Sequence, residues 1–280
     1  MRLVWLLIPL TFFGLTACSP VQTLNTLTPL VGLRVATNLA YGESTRQQLD
    51  LYSPAEPQTV PVVVFIHGGS WTGGSKDDYK FVGESLARAG YLTAVISYRL
   101  APEFRYPEYV RDAALAVRWV RDNARRYGGD PARIFVVGHS AGAFNALEVV
   151  MNERWLREAG VPVTSISGVV GLAGPYDYDF RNFPSRNAFP EAALPESVLP
   201  SRHVRADPPP TLLLVAARDQ VVAPENGRKM LAALERANAD VQLNVIENAD
   251  HYTIVGGLST RLSFINPVRT RVLDFLQRYS

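Results

Sequence analysis

The strand-like run Ile134 to Val137 passes without a break into Gly138-His139-Ser140-Ala141-Gly142, and a helix-forming run, Ala143 to Val150, follows. This is G-x-S-x-G in the context that gives it meaning. A serine there sits on a tight strand-to-helix turn, and its neighbours must be small because the bent backbone packs close to adjacent strands. The start of the following helix adds a partial positive charge that favours a developing oxyanion.

The rest of the chain has to supply a sheet around that turn, and its pattern does so. Val60 to Ile66, Leu92 to Ser97, Ile166 to Leu172 and Leu212 to Ala216 are short apolar runs with the character of buried parallel strands, and Val241 to Ile246 is strand-like. Between them lie amphipathic helices. From about Glu108 to Tyr127, apolar residues recur at Val110, Ala113, Ala114, Val117, Val120 and Ala124, with Gly128 placed as a C-terminal cap. A last helix has Asn266 to cap it, Pro267 in its first turn and Val268, Val272, Phe275, Leu276 and Tyr279 on one face. Strand and helix in alternation predict an α/β fold with a mainly parallel sheet flanked by helices.

One stretch interrupts the alternation, a proline-rich insert after the strand near 166–172. Gly174 to Pro210 carries eight prolines and several aromatics with little periodicity. Such a length is unusual for a plain connection, and loops of this kind often line a substrate site. Tyr176, Tyr178, Phe180, Phe183 and Phe189 are therefore candidates for an acyl or aryl pocket, or for packing the insert against the sheet.

A serine hydroxyl is a weak nucleophile at neutral pH and needs a histidine base, itself oriented by an acid. The chain has four histidines, His67, His139, His203 and His251. The turn would point His139 away from the serine hydroxyl, His67 belongs to a glycine motif, and His203 lies in the insert, where a surface role is expected. His251, in a loop after Val241 to Ile246, is the expected base. Asp219 follows the run Thr211 to Arg218, at a strand end where open α/β sheets carry functional loops. The competing acids are Asp177, after the preceding strand, and Asp250, whose place beside His251 gives it poor geometry. For the oxyanion, His67-Gly68-Gly69-Ser70-Trp71 follows the Val60 to Ile66 strand, so Gly69, Ser70 and Ala141 are the candidate backbone donors and Gly68 a turn residue.

Taken in order, His67-Gly68-Gly69-Ser70-Trp71, Tyr98-Arg99-Leu100-Ala101-Pro102, Gly138-His139-Ser140-Ala141-Gly142, Arg218-Asp219 and Asp250-His251 make the chain similar to the α/β-hydrolase superfamily, in its esterase branch with an H-G-G-x-W oxyanion motif. The resemblance covers nearly all of the chain beyond its first residues. It implies the α/β-hydrolase fold, a Ser140, Asp219, His251 triad and relatives that include carboxylesterases, feruloyl and acetyl-xylan esterase-like enzymes, arylformamidases and prenylcysteine methylesterases. Trp71 and Tyr176 are the candidate substrate-binding residues. Ser70 departs from the third glycine that many hormone-sensitive-lipase-like relatives carry, which leaves acyl size and leaving group open.

At the N-terminus Met1 and Arg2 precede an apolar run that ends in Leu15-Thr16-Ala17-Cys18. Leu3 to Ala17 is 15 residues, short of the ~18 that a spanning helix needs, so the run reads as an export signal. Cys18 is the single cysteine and can form no internal disulfide. The segment resembles a bacterial lipoprotein signal in which Cys18 becomes the acylated first residue, and Ser19 then favours the outer membrane. The expected organisation is a signal peptide at 1–17, a lipidated polar tether at 18–33 and a catalytic domain at 34–280.

Net charge is +2, with 28 Lys and Arg spread without a basic block, which leaves no footprint for nucleic acid. No histidine pair has metal-ligand spacing and no segment matches a dinucleotide or phosphate loop, so no metal or cofactor is expected. The expected partners are a small ester substrate and a membrane reached through Cys18. The function expected is a carboxylesterase working through an acyl-enzyme, with an arylformamidase acting on N-formylkynurenine-like formamides as the alternative within enzymes and a non-catalytic binding lipoprotein outside them.

Overall fold

The computed structural model describes residues 20–56 and 58–280, and the expected signal at 1–17 and Cys18 lie outside the described residues. The first half runs α1 (Pro20–Thr26), β1 (Leu33–Ala40), β2 (Gln48–Pro54), β3 (Val60–Ile66), α2 (Lys80–Arg88), β4 (Leu92–Ile96), α3 (Glu108–Asn123) and β5 (Gly129–His139). The second half runs α4 (Ala141–Met151), α5 (Glu153–Glu158), β6 (Ile166–Leu172), β7 (Thr211–Ala216), α6 (Glu225–Arg236), β8 (Val241–Ile246), α7 (Thr253–Gly256) and α8 (Val268–Arg278).

The strands form one sheet in the order β1-β2-β4-β3-β5-β6-β7-β8. β1 and β2 are antiparallel, and every pairing from β4 to β8 is parallel. The apolar runs are continuous because both faces of the sheet are covered. Val62, Val64, Ile66, Ile134 and Val136 point to the layer of α3, α4 and α6, while Val63, Phe65, Phe135, Val137, Val170 and Leu172 point to that of α2 and α8. Full burial of side chains of this size stabilises by roughly 1.5–3 kcal/mol each, which fixes the register.

That register positions the site. Ile66 pairs with Gly138, His139 with Leu172, Leu172 with Leu214 and Ala216 with Ile246. The parallel strands therefore end in line, and the loops after β3, β5, β7 and β8 emerge along one rim.

The expected 108–127 helix is α3 completed by a 3-10 turn over Ala124–Tyr127, and Gly128 closes it at φ 83°. α8 begins one residue later than expected, with Pro267 at its N-cap, and Asn266 before it still serves the helix start, its Oδ1 accepting from the Val268 N–H at 3.2 Å. The stretch at 18–33 departs from a free tether. From residue 20 it is folded onto the domain: Asn25 accepts from the Phe81 N–H at the start of α2 and donates to the Asp77 carbonyl, and Leu24 packs into the α2 and α8 layer. An N-terminal N–H of a helix has no partner within that helix, and Asn25 supplies one.

The insert is likewise folded. It is a chain of 3-10 turns, three of them opened by Pro184, Pro195 and Pro200. Proline presets φ for such a turn but cannot continue it, so the segment folds without acquiring a period. The Ala188 carbonyl accepts from the Tyr106 N–H and the Tyr109 hydroxyl and so ties the insert to α3.

Candidate active site

Ser140 lies between β5 and α4 at φ 56°, ψ −124°. A non-glycine residue held there costs roughly 1–3 kcal/mol, which the surrounding packing must sustain. The flanking glycines explain how the turn closes. A Cβ on Gly138 would lie 2.1 Å from the Gly142 carbonyl oxygen, and one on Gly142 would lie 2.1 Å from that of Ile66. Any side chain at either position would push the serine off the strand end.

The structure brings Ser140, His251 and Asp219 into one chain of hydrogen bonds. Ser140 Oγ is 2.9 Å from His251 Nε2, and His251 Nδ1 is 2.8 Å from Asp219 Oδ2. A carboxylate only accepts, so Nδ1 carries the proton and Nε2 is left free to accept from the serine hydroxyl. Asp219 is itself held: its Oδ1 accepts from the Val221 and Val222 N–H groups at 2.8 Å each. Burial works to raise the Asp219 carboxyl, but the hydrogen bond from His251 and the two N–H groups outweigh it and keep it below the usual carboxylate range. The acid therefore stays ionised beside the imidazole at neutral pH.

The loop after β3 is braced on several sides. Gly69 has φ 121°, with Ser70 and Trp71 at 52° and 60°. The Gly69 carbonyl closes the turn by accepting from the Thr72 and Gly73 N–H groups. Tyr98 donates to the His67 carbonyl, the Ala101 N–H to that of Trp71 and Arg46 to that of Gly74. Arg99 behind them is chelated by the buried Asp112. The Tyr98 to Pro102 segment thus works as a buttress for the loop. Among the described residues the N–H groups of Gly69, Ser70 and Ala141 have no protein acceptor. Ser70 and Ala141 share a cavity wall with Ser140, whereas Gly69 lies one residue behind.

The rival groups are engaged elsewhere. Asp177 accepts from Ser201 Oγ at 2.6 Å and pairs with Arg202 and Lys229. Asp250 Oδ1 accepts from the Tyr252 and Thr253 N–H groups and shapes the turn into α7. His67 donates from Nδ1 to the Gly68 carbonyl and stacks on Tyr98, and burial pushes it down to about 3. His203 is half-buried rather than free in solvent: its Nδ1 lies 2.8 Å from the buried Glu148 carboxylate, which also accepts from Tyr106, Asn152 and Trp155. The need to satisfy a charge buried on α4 draws His203 inward.

A cavity of 660 Å³ opens beside Ser140 between the insert and the loop after β7. Tyr178, Phe183, Pro184, Val221 and Val222 line it, with Asp177, Asn226 and Lys229 among its polar groups. Of the expected binding side chains, Trp71 lines the cavity and Tyr176 does not. Trp71 reaches the wall, but its indole is buried against Tyr109, Phe144 and Phe189 and donates to Asn145. Tyr176 is fully buried beside Gly171 and Gly174 and takes no part in the wall. Phe180 and Phe189 stack on each other in the core, so of the five insert aromatics only Tyr178 and Phe183 face the cavity. Val221, Val222 and Asn226 were not singled out from the sequence; their signal is their position just after the acid.

With this geometry in hand, the chain can be set beside known proteins. It superimposes on esterase B from Lactobacillus rhamnosis with a TM-score of 0.75 at 20% identity, covering 92% of this chain and 90% of the other. It superimposes on a bacterial heroin esterase with 0.74 at 23%, covering 92% and 88%. At these identities the superpositions establish the α/β-hydrolase fold. In sequence it is 32% identical to esterase LipC of Mycobacterium tuberculosis over 230 residues, 74% of this chain and 56% of that protein. It is 35% identical to the probable isoprenylcysteine alpha-carbonyl methylesterase ICMEL1 of rice over 151 residues, 51% of this chain and 35% of the relative. The chain thus spans about half or less of these relatives' length. A family profile, BD-FAE, matches residues 49–234, which run from β2 through the loop of Ser70 and the Ser140 turn to Asp219 and α6, and on that match this chain belongs to the BD-FAE family.

Proposed function

We propose that this chain is a serine hydrolase that cleaves small carboxylic esters through an acyl-enzyme. The observation that carries the reading is the unbroken line from Ser140 through His251 to Asp219, opening on a cavity. The esterases among its relatives point the same way.

In this mechanism His251 Nε2 takes the Ser140 proton as Oγ attacks the ester carbonyl. The carbonyl oxygen becomes an oxyanion, received by the N–H groups of Ser70 and Ala141, with Gly69 as the other candidate donor. His251 then gives the proton to the leaving alkoxide, the C–O bond breaks and the alcohol departs. Water, activated by the same nitrogen, attacks the acyl-enzyme and releases the acid and the serine. Asp219 keeps the ring in place and balances its charge while it is protonated.

The cavity is large beside an acetyl group, and the ring of Phe183 is half exposed on its wall. With p-nitrophenyl esters the expected optimum is therefore an acyl chain longer than acetyl. Phe183→Ala should raise KM for that optimum by about 3- to 10-fold, as burial of a few methylenes implies, and leave acetate nearly unaffected. A steady fall from acetate onward in the native protein contradicts this use of the cavity. Faster cleavage of N-formylkynurenine than of any ester, at equal concentration, contradicts the ester reading.

The N-terminal reading belongs to the same proposal: export through residues 1–17 and acylation of Cys18, in the bacterial envelope. Because Pro20–Thr26 is docked on the domain, the lipid would be joined to the fold through little more than Ser19. Cys18→Ala is expected to move the protein from the membrane fraction to the soluble fraction after a salt wash. Retention of that variant on membranes rejects the anchor.

A further inference from the structure

His139 is not placed to act as the base, yet it touches all three parts of the site. Its own backbone is the strand end that carries Ser140. Its Nδ1 lies beneath Gly68 of the glycine loop, so that a Cβ on Gly68 would come within 3.1 Å of it. Its Nε2 is 2.8 Å from the backbone carbonyl oxygen of His251, and the two rings lie 5.0 Å apart. A carbonyl can only accept, so Nε2 carries the proton and donates. Nδ1 is then a bare acceptor, without a partner among the described residues.

We propose that His139 is a positioning residue for the reaction, its Nε2–H clamping the backbone of His251 so that the catalytic ring meets Ser140 and Asp219 together. The inference rests on the ester-hydrolase reading for its kinetic arm, but the geometry it describes does not. The loop bearing His251 is tied within itself through Asp250 to Tyr252 and Thr253, to the loop after β7 by the Arg218 N–H on the Ala249 carbonyl, and to the segment before α8 by Asn266 on the Thr253 carbonyl, none of which reaches the Ser140 turn. Without the clamp, its one hydrogen bond to the Ser140 turn among the described residues is that between His251 Nε2 and Ser140 Oγ, and this one is broken in every turnover. The choice of histidine follows from charge. Burial, and then the nearby His251, push the His139 ring down to about 3, so it donates while neutral. A lysine or arginine could reach the same carbonyl only by placing a second cation beside the His251 imidazolium.

The test uses the full chain with three variants. H139F removes the donor; H139Q keeps one, because the Gln amide nitrogen falls near the position of Nε2; H139N, whose amide is too short to reach, replaces H139F if the latter does not fold. For p-nitrophenyl butyrate we expect H139F to lower kcat by about 30-fold with KM within about threefold of the native value, as for a misplaced catalytic group. H139Q is expected to recover most of that loss. Proton NMR supplies a readout independent of any substrate: the low-field Nδ1–H of His251, held by Asp219, should be resolved in the native protein and H139Q and broadened away in H139F. An unchanged resonance in H139F, or an H139Q as impaired as H139F, overturns the clamp. A native protein that shows the resonance but cleaves no ester overturns the ester reading, and the comparison of resonances still decides the role of His139.

Discussion

Ser140→Ala is expected to lower kcat for p-nitrophenyl esters by about 10⁴- to 10⁶-fold while KM changes little, the scale seen when a triad nucleophile is removed. The contrast follows from what is lost. The cavity walls from Tyr178, Phe183, Val221 and Val222 stay as they are, so substrate still binds. Oγ alone disappears, and with it the nucleophile of the proposed reaction. Alanine has the same backbone demands as serine at φ 56°, so the turn and its flanking glycines are expected to hold. The measurement is hydrolysis by native and variant protein at equal concentration, with thermal unfolding as a check on folding. A variant retaining more than about one part in a hundred of native kcat would mean that Ser140 is not the nucleophile.

The sequence displayed the centre of the sheet far better than its edge. β3, β6, β7 and the second half of β5 from Ile134 are covered on both faces and so read as apolar runs, whereas the first half of β5, Gly129-Asp130-Pro131-Ala132-Arg133, carried no such signal. β1 lies at the sheet edge, with Leu33–Ala40 half-buried or exposed throughout, and neither it nor β2 was assigned from the sequence. The positions of Ser140 and Asp219 were readable because each follows a buried apolar strand, and that of His251 because it follows the strand-like Val241–Ile246, even though β8 is a half-buried edge strand; parallel strands in register end together. What could not be read was the direction of side chains outside regular structure. Tyr176 and Tyr178 are two apart in the insert, yet one is in the core and the other on the cavity wall, and no period governs a chain of 3-10 turns. His203 was read as exposed because its partner Glu148 lies 55 residues earlier, on the buried helix behind Ser140.

His139 shows the converse, a placement that was present in the sequence and left unused. On β5 it shares the parity of Phe135 and Val137, which face the α2 and α8 layer, so the alternation alone aims it into that side of the sheet. There it must be buried, and buried polar groups find partners or cost free energy. The partner it finds is the loop carrying His251. In the proposed reaction the dipeptide His139-Ser140 would therefore join two functions, a nucleophile thrown out by the turn and a brace directed inward by the strand.

The second large effect is on stability, and it comes from the same buried rings. Lowering the pH from about 7.5 to about 5 is expected to destabilise the fold by roughly 4 kcal/mol through His67 and His139 alone. Both fall from an ordinary 6.5 to about 3, burial being the main cause in each. The sign follows from which state takes up protons. Above pH 6.5 neither state binds them and stability is flat. Between about 6.5 and 3 the unfolded chain protonates its imidazoles while the folded chain cannot, so unfolding is favoured by roughly 1.4 kcal/mol per ring for each pH unit. At pH 5 the loss depends almost wholly on the unfolded value, so the result is insensitive to how far below 5 the folded rings titrate. The depressed Asp219 and Asp250 carboxyls act in the same direction, but only once the pH falls below about 4, through the range of unfolded aspartate. Urea unfolding followed by tryptophan fluorescence at about pH 7.5, 6 and 5 should therefore show midpoints that fall steeply well above the carboxylate range. Replacing either histidine with glutamine should remove about half of the slope. A midpoint that stayed level down to about pH 5 would mean that these rings take up protons in the folded state.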